Sequence, residues 1–202
     1  MEFNGSFELE DVSIEEAWLA LSDPRMIEAA LPGCQFLVQV DGDDPDFDEL
    51  AAQADDGPDE EDLLPNADPE VVAERAFEDG GQYAALIELG VGSVKPSFET
   101  IVTITDREFP VMNAAGEGSA SDSSFEMESG MELHETETGV RIDWWTETDV
   151  FGRLARMGQR LITPVANRVV NRFFSDLESR LQPESDESQS DGYRNRVRSL
   201  FK

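Results

Sequence analysis

The chain has 202 residues, of which 45 are acidic and 15 are basic, so its formal net charge is −30. A charge of this sign repels nucleic-acid phosphates, and no run of about 18 apolar residues predicts a membrane-spanning helix. The single cysteine excludes an internal disulfide, and one histidine is fewer than zinc, haem or histidine-dependent catalytic sites usually require.

The first 31 residues predict a strand followed by two short helices. Residues 2–11 alternate apolar and polar side chains, as in a strand with one buried face. Their start lacks the basic flank and apolar stretch of a signal peptide, so we expect a cytoplasmic protein. Ser13 and Glu16 have the spacing of a helix capping box, and Asp23-Pro24 is typical of a second helix start.

Residues 34–40 predict a second strand, and residues 41–68 then form the most acidic part of the chain. This segment has 13 acids and no base, so we expect a mobile loop that buries little apolar surface. A metal site is the alternative there, although no spacing matches an EF-hand. Acids are also spread over most of the chain, which is typical of proteins from halophilic archaea. An acidic surface that attracts cations or basic partners is the alternative explanation.

The rest of the domain predicts an antiparallel sheet followed by one long helix. Alternation predicts strands at 70–78, 82–91, 97–105, 109–117, 123–134 and 139–148. Apolar residues at three- and four-residue steps predict a helix over 151–181, which Pro164 should kink or split.

This order of elements predicts an α+β helix-grip domain over residues 1–181, the architecture of START and Bet v 1 proteins. The long helix must lie across the apolar face of the sheet, and strong curvature of that sheet would leave an apolar cavity beneath the helix. Glycines at 92, 116 and 118 are places where a strand could bend or a ligand approach. The predicted cavity residues, which could equally form a filled core, are Phe98, Val102, Phe125, Met127, Trp144, Leu161, Val165 and Phe173.

The C-terminus is basic, in contrast to the rest of the chain. Residues 151–202 have a net charge of +4, and a polar linker over 182–192 precedes a tail over 193–202. Apolar residues of the tail follow a helical spacing among basic ones, which predicts an interfacial helix on an anionic membrane. The alternatives are a disordered tail or a docking peptide for an acidic partner. The predicted membrane-contacting residues are Tyr193, Arg194, Arg196, Val197, Arg198, Leu200, Phe201 and Lys202.

Two lone residues are catalytic candidates. Cys34 follows a Pro-Gly turn and could be a nucleophile, but a free cysteine is more often a small buried hydrophobe. His134 lies on the polar side of its strand beside Glu132 and Glu135, as a surface histidine would. We therefore expect no catalytic residue and no metal site.

Several short motifs, in this order and spacing, resemble the family of the carbon monoxide dehydrogenase G subunit. The resemblance covers about 1–40 and 70–181, and departs from the family at the acidic loop and at Pro164. The matching pieces are Met1-Glu2-Phe3-Asn4-Gly5, Ala17-Trp18, Leu31-Pro32-Gly33-Cys34, Val91-Gly92-Ser93-Val94-Lys95-Pro96-Ser97-Phe98, Gly116-Glu117-Gly118, Met157-Gly158-Gln159-Arg160-Leu161-Ile162 and Phe173-Phe174-Ser175-Asp176-Leu177.

The resemblance implies a non-catalytic accessory protein that attaches a molybdenum-containing dehydrogenase to the inner face of the membrane. It also implies an apolar cavity suited to a lipid or a respiratory quinone of the menaquinone type, with no covalently bound cofactor. Two alternatives stay open at this point. One is an assembly adaptor with a filled core and no ligand, and the other is an enzyme of the polyketide cyclase type that reacts its substrate inside the cavity.

Overall fold

A computed structural model describes residues 1–42, 44–54, 57–90, 95–181 and 187–201. The strands are β1 (Glu2–Glu10), β2 (Cys34–Val40), β3 (Gln82–Glu88), β4 (Ser97–Glu108), β5 (Val111–Ala120), β6 (Ser123–Glu135) and β7 (Gly139–Phe151). The helices are α1 (Ile14–Leu21), α2 (Pro24–Ala30), α3 (Phe47–Gln53), α4 (Pro69–Glu74), α5 (Gly152–Met157), α6 (Gln159–Leu181) and α7 (Glu187–Ser199).

The strands form one antiparallel sheet in the order β1-β7-β6-β5-β4-β3-β2. Only the first strand is out of sequence, because β1 pairs with β7 and thereby joins the start of the chain to its last strand. This curved sheet, followed by the C-terminal helix α6, confirms the predicted α+β class and is consistent with a helix-grip fold.

Both predicted helix starts are confirmed in atomic detail. The Ser13 hydroxyl accepts the N–H of Glu16 at 3.3 Å, and the Glu16 carboxylate accepts the N–H of Ser13 at 2.8 Å. The Asp23 carboxylate accepts the N–H of Arg25 at 3.1 Å and caps α2, with Pro24 in the first helical position. These caps satisfy backbone donors that would otherwise lack partners at the start of each helix.

Side-chain alternation divides the sheet into two faces. On the inner face, residues such as Leu9, Leu133 and Ile142 are at most 1% exposed and form the main core with the helices. The outer face exposes mainly carboxylates, although Phe47 of α3 covers Phe36 of β2 with ring centroids 6.3 Å apart. One face is therefore packed and the other mostly solvated, as expected for an antiparallel sheet.

The structure corrects the predictions for residues 41–78. The predicted loop over 41–68 contains α3 and a 3-10 helix at Glu60–Asp62, and its residues Leu63 and Leu64 are both 1% exposed in the core. Residues 69–74 form α4 rather than part of a strand. The average composition of these 28 residues hides the apolar pair Leu63 and Leu64. Because burying one leucine contributes about 2 kcal/mol, this pair is enough to hold the segment against the core.

The C-terminal helix is divided differently from the prediction. The break falls at Gly158, whose φ of +76° favours glycine, while Pro164 lies inside α6. The predicted linker over 182–192 is also corrected, because α7 begins at Glu187; residues 182–186 lie outside the described residues. Among the described helices, none is both long enough and apolar enough to cross a bilayer.

Candidate ligand site on the inner face of the sheet

The inner face carries two separate apolar clusters. The first core cluster contains Ile142, Leu133 and Leu177, with Trp144 and Phe173 packed against it. The second core cluster contains Phe98 and Leu154, with Phe125 and Val165 among the side chains packed against it. The eight predicted cavity residues are therefore not all brought together, because Trp144 and Phe173 belong to the first cluster and Phe98, Phe125 and Val165 to the second.

In the middle of β5, β6 and β7, mostly small side chains lie on the inner face, and one of them, Ala114, packs against the first core cluster. Ala114 pairs with Ser129, which pairs with Thr146, and in the next row Gly116 pairs with Met127, which pairs with Thr148. We call these residues, with Val102 opposite Gly116, the small-side-chain band. All of its members are only half-buried, although they lie on the packed face of the central strands.

The backbone of helix α6 lies closest to elements other than the central strands that carry this band. Its backbone approaches α2, α5 and β1 closely, and within the described part of the chain it approaches none of the central strands β4, β5 and β6 to the same degree. It is tied down toward its C-terminal end, where the rings of Phe174 and Phe7 stack at 5.0 Å. The half-buried state of the band is consistent with a helix whose nearest backbone neighbours are α2, α5 and β1 rather than the central strands.

Gly118 shapes one wall of this region. A Cβ atom at this position would lie 2.4 Å from the ring of Phe125 and 2.8 Å from the hydroxyl of Thr100. Because glycine leaves that space empty, the Phe125 ring lies over β5 and meets Phe98 edge-on at 5.4 Å. At this glycine the group that comes close is a side chain of the protein itself, so the approach of a ligand here stays a prediction; Gly92 lies outside the described residues.

Of the three remaining predicted cavity residues, Val102 and Met127 belong to the band, whereas Leu161 does not belong to the site. Val102 and Met127 face the inner side, and Met127 lies over Gly116, where a Cβ atom would be 3.3 Å from its Cγ. Leu161 is 48% exposed on the solvent side of α6, so its assignment to the cavity is wrong. Sequence analysis missed Ala114, Ser129 and Thr146, because small residues at inward positions give no hydrophobic signal.

The two lone candidate residues occupy unreactive surroundings. Burial, and secondarily the charge of Glu28, raises the pKa of the Cys34 thiol to about 12, so the reactive thiolate is scarce at neutral pH. The Cys34 thiol contacts the Phe36 carbonyl oxygen at 3.3 Å. His134 lies at the surface, with its Nε2 atom 3.2 Å from an oxygen of Asp143. Neither residue is placed as a nucleophile or general base beside the small-side-chain band.

The outer face carries two adjoining open depressions, of about 520 and 660 Å³. Their carboxylates are Glu99, Glu117, Glu126, Glu128, Glu147 and Asp149 from the sheet and Asp44, Asp46 and Asp48 from the start of α3. Nowhere in the described ranges do three His, Cys, Asp or Glu side chains converge as metal ligands would. This surface is best explained as a solvated acidic face.

The predicted amphipathic tail is helical, but its apolar side is covered by the protein itself. Tyr193 is 8% exposed, Val197 is fully buried, and the ring of Phe201 packs against Phe109 at 5.4 Å. Leu200 is 36% exposed, and Lys202 lies outside the described residues. In this conformation Tyr193 and Val197 cannot enter a bilayer, which corrects their assignment as membrane-contacting residues.

The basic side of the tail is also engaged. Arg194 donates to the backbone oxygen of Asp11 at 2.6 Å, while Arg196 pairs with Asp68 at 3.3 Å and Arg198 with Glu15 at 3.7 Å. Burial raises the pKa of the Tyr193 phenol, and its hydroxyl finds no hydrogen-bond partner among the described residues. The tail therefore docks on an acidic part of its own domain through a contact that is incompletely satisfied.

Comparison with known proteins gives one family and a set of shared folds. The family model that describes the G subunit of carbon monoxide dehydrogenase (CoxG) matches residues 74–182, which is more than half of the chain. No functionally curated protein matches the chain.

Solved structures of the same fold come from distant bacteria. A conserved protein from Geobacillus kaustophilus is 21% identical, with a TM-score of 0.65 over 90% of this chain and 95% of its own. Proteins from Chromobacterium violaceum and Thermus thermophilus are each 11% identical with TM-scores of 0.55. The alignments cover 91% of this chain and 99% of the first protein, and 90% of this chain and 97% of the second. Likeness at these identities shows the fold alone.

Proposed function

Because the chain belongs to the CoxG family, that of the carbon monoxide dehydrogenase G subunit, we propose that it is a non-catalytic accessory protein of a carbon monoxide dehydrogenase-type molybdenum enzyme. Its task would be to hold an apolar molecule and to attach the enzyme to the inner face of the cell membrane. The net charge of −30 supports a further part of this proposal, a cytoplasm rich in salt such as that of a halophilic archaeon.

The observation that supports ligand binding is the half-buried state of the small-side-chain band. A protein interior is normally close-packed, so central inner-face residues that stay accessible indicate space above them. Trp144 and Phe173 border this space on one side, and Phe125 and Val165 border it on the other. Such surroundings favour a flat or elongated apolar molecule, and a lipid or a respiratory quinone of the menaquinone type has that shape.

A variant that fills the proposed ligand space with a large side chain tests this proposal directly. In Ser129→Phe, an aromatic ring replaces a hydroxyl in the middle of the band, so the variant should lose the ligand. In the matched control Glu128→Phe, the same ring is added at the neighbouring position of β6 but on the exposed outer face. We expect a short-chain menaquinone to quench tryptophan fluorescence saturably in the wild type and the control, since Trp144 borders the site, and not in Ser129→Phe.

Two results would contradict ligand binding. If organic extraction of the purified protein yields no lipid or quinone and the wild type shows no saturable quenching, the protein is an adaptor without a ligand. If Ser129→Phe binds as well as the wild type, the ligand lies elsewhere. Attachment of the enzyme is tested separately, by measuring carbon monoxide-oxidising activity in membrane fractions with and without this protein; unchanged membrane-bound activity would contradict that role.

A further inference from the structure

The first half of the C-terminal helical segment is basic in a protein that is otherwise strongly acidic. Residues 151–175 contain five arginines and no acid. Arg156, Arg160 and Arg168 are exposed, and no carboxylate within the described ranges pairs with any of them. In a chain with three acids for every base, these unpaired guanidinium groups on α5 and α6 differ from the solvated carboxylate surface elsewhere.

An exposed apolar residue lies among these arginines. Leu161 is 48% exposed, and Leu161, Pro164, Arg168 and Arg172 follow at helical spacing, so they share the solvent side of α6. An exposed leucine alone needs no explanation, because folded surfaces contain many apolar atoms. A leucine bordered by unpaired arginines on an amphipathic helix is the pattern of a surface that lies in the interface of an anionic membrane.

We infer that the exposed basic surface of α5 and α6, which we call the α6 arginine face, binds an anionic lipid membrane. The inference rests on the membrane attachment proposed above and assigns it to a different surface from the tail. It needs no rearrangement, because Leu161 and the three unpaired arginines are already exposed. The tail, by contrast, would first have to withdraw Val197 from the core and break its contacts with Asp11, Asp68 and Glu15.

The distribution of charge allows the α6 arginine face to approach an anionic membrane despite the net charge of −30. The carboxylates Glu117, Glu126 and Glu128 project from the outer face of the sheet, whereas α6 packs on the inner side. Sheet and helix layers together separate the two surfaces by more than the Debye length, which is about 10 Å at ~0.1 M salt. The membrane would therefore interact mainly with the arginines, while repulsion from the far face is screened.

The position of this face also links it to the candidate ligand site. Val165 lies one turn after Leu161 and packs with the second core cluster, which borders the small-side-chain band. Gly158 separates α5 from α6 at the same end. The α6 arginine face and the second core cluster therefore meet at this end of α6.

Vesicle co-sedimentation with two matched variants tests the inference. Arg160→Gln/Arg168→Gln removes two unpaired arginines from α6, and Arg196→Gln/Arg198→Gln removes two from the tail, so the net charge changes equally. With vesicles of equal parts phosphatidylglycerol and phosphatidylcholine, we expect the α6 variant to bind about 30-fold more weakly at ~0.1 M salt. The tail variant should bind within about threefold of the wild type, and Leu161→Ser should weaken binding about fivefold.

The possible outcomes separate this inference from the proposed function. Weaker binding of the α6 variant and of Leu161→Ser, with the tail variant nearly unchanged, supports the inference. If the wild type sediments and only the tail variant loses binding, the inference is overturned while membrane attachment stands. If the wild type does not bind these vesicles, or binds phosphatidylcholine vesicles equally well, both the inference and the proposed attachment to an anionic surface fail. Circular dichroism of each variant checks that the fold is retained.

Discussion

Asp23 connects three parts of the fold through one buried carboxylate. Its side chain is fully buried, and it caps α2 while accepting two hydrogen bonds from Arg75, at 2.9 Å from Nε and 2.7 Å from a terminal nitrogen. The same Arg75 nitrogen donates to the backbone oxygen of Asp62 at 2.5 Å. This fork-shaped pairing, stronger than a single contact, fixes the acidic segment before α4 against the start of α2.

We predict that Asp23→Ala lowers the free energy of unfolding by about 3–5 kcal/mol, because it leaves the partly buried Arg75 guanidinium without its carboxylate and removes the cap of α2. Urea unfolding followed by circular dichroism measures this. Asp62→Ala is the control, since its carboxylate forms a half-exposed pair with Arg25 and its loss should cost at most about 1 kcal/mol. Equal effects of the two substitutions would show that the buried pair has no special role.

Individual site residues are predictable where strand alternation is strict and less so at the edge of the apolar stripe of a helix. Phe98 and Phe125 were placed on the inner face correctly, since a strand has only two faces. The three- and four-residue steps also predict Leu161 on the buried side, yet it is 48% exposed. Val165, one turn later in the same helix, does pack against the second core cluster, so helical spacing alone does not place a residue at the edge of the apolar stripe.

At the scale of elements, local sequence pattern predicts the sheet but not the way other segments dock on it. The strands after residue 81 and both helix caps follow from local pattern, because each strand and each cap depends on neighbouring residues. The docking of α7 could not be predicted. Its amphipathic pattern is suited equally to a membrane and to a protein groove, and the choice depends on α1 and α4, which meet it in space but are distant in sequence.

A single buried residue of α7 tests whether the tail is docked in solution. Val197 is 0% exposed, so Val197→Asp would place a carboxylate in the core at a cost of about 3 kcal/mol. We expect α7 to be released while the sheet stays folded. Hydrogen–deuterium exchange should then show loss of protection in residues 193–199 and unchanged protection in β5, β6 and β7.

The exposed neighbour Asn195 provides the control for that experiment. Asn195→Asp adds the same charge on the solvent side of α7 and should leave exchange in 193–199 unchanged. If wild-type amides in 193–199 exchange as fast as those of an unfolded peptide, the tail is undocked in solution. The tail would then be free to reach a membrane, as its amphipathic sequence predicts.

At the scale of the whole molecule, the carboxylates on the outer face make stability dependent on salt. Pairs of like charges on adjacent strands, such as Glu117 with Glu126 and Glu128 with Glu147, lie directly opposite each other in the sheet. Like charges in this position are destabilising. The cost is largest at low ionic strength, because salt at ~1 M shortens the Debye length from about 10 Å to about 3 Å and screens the repulsion.

We therefore predict that the thermal midpoint rises by at least about 5 °C when potassium chloride is raised from ~0.1 to ~1 M, equivalent to roughly 1–2 kcal/mol. Differential scanning calorimetry measures the midpoint. A variant with glutamine at positions 99, 117, 126, 128 and 147 removes five negative charges from the outer face while keeping the size of each side chain. If outer-face repulsion causes the dependence, this variant should be more stable at low salt and respond less to added salt. An unchanged salt response would place the repulsion elsewhere, in the acidic segment that contains α3.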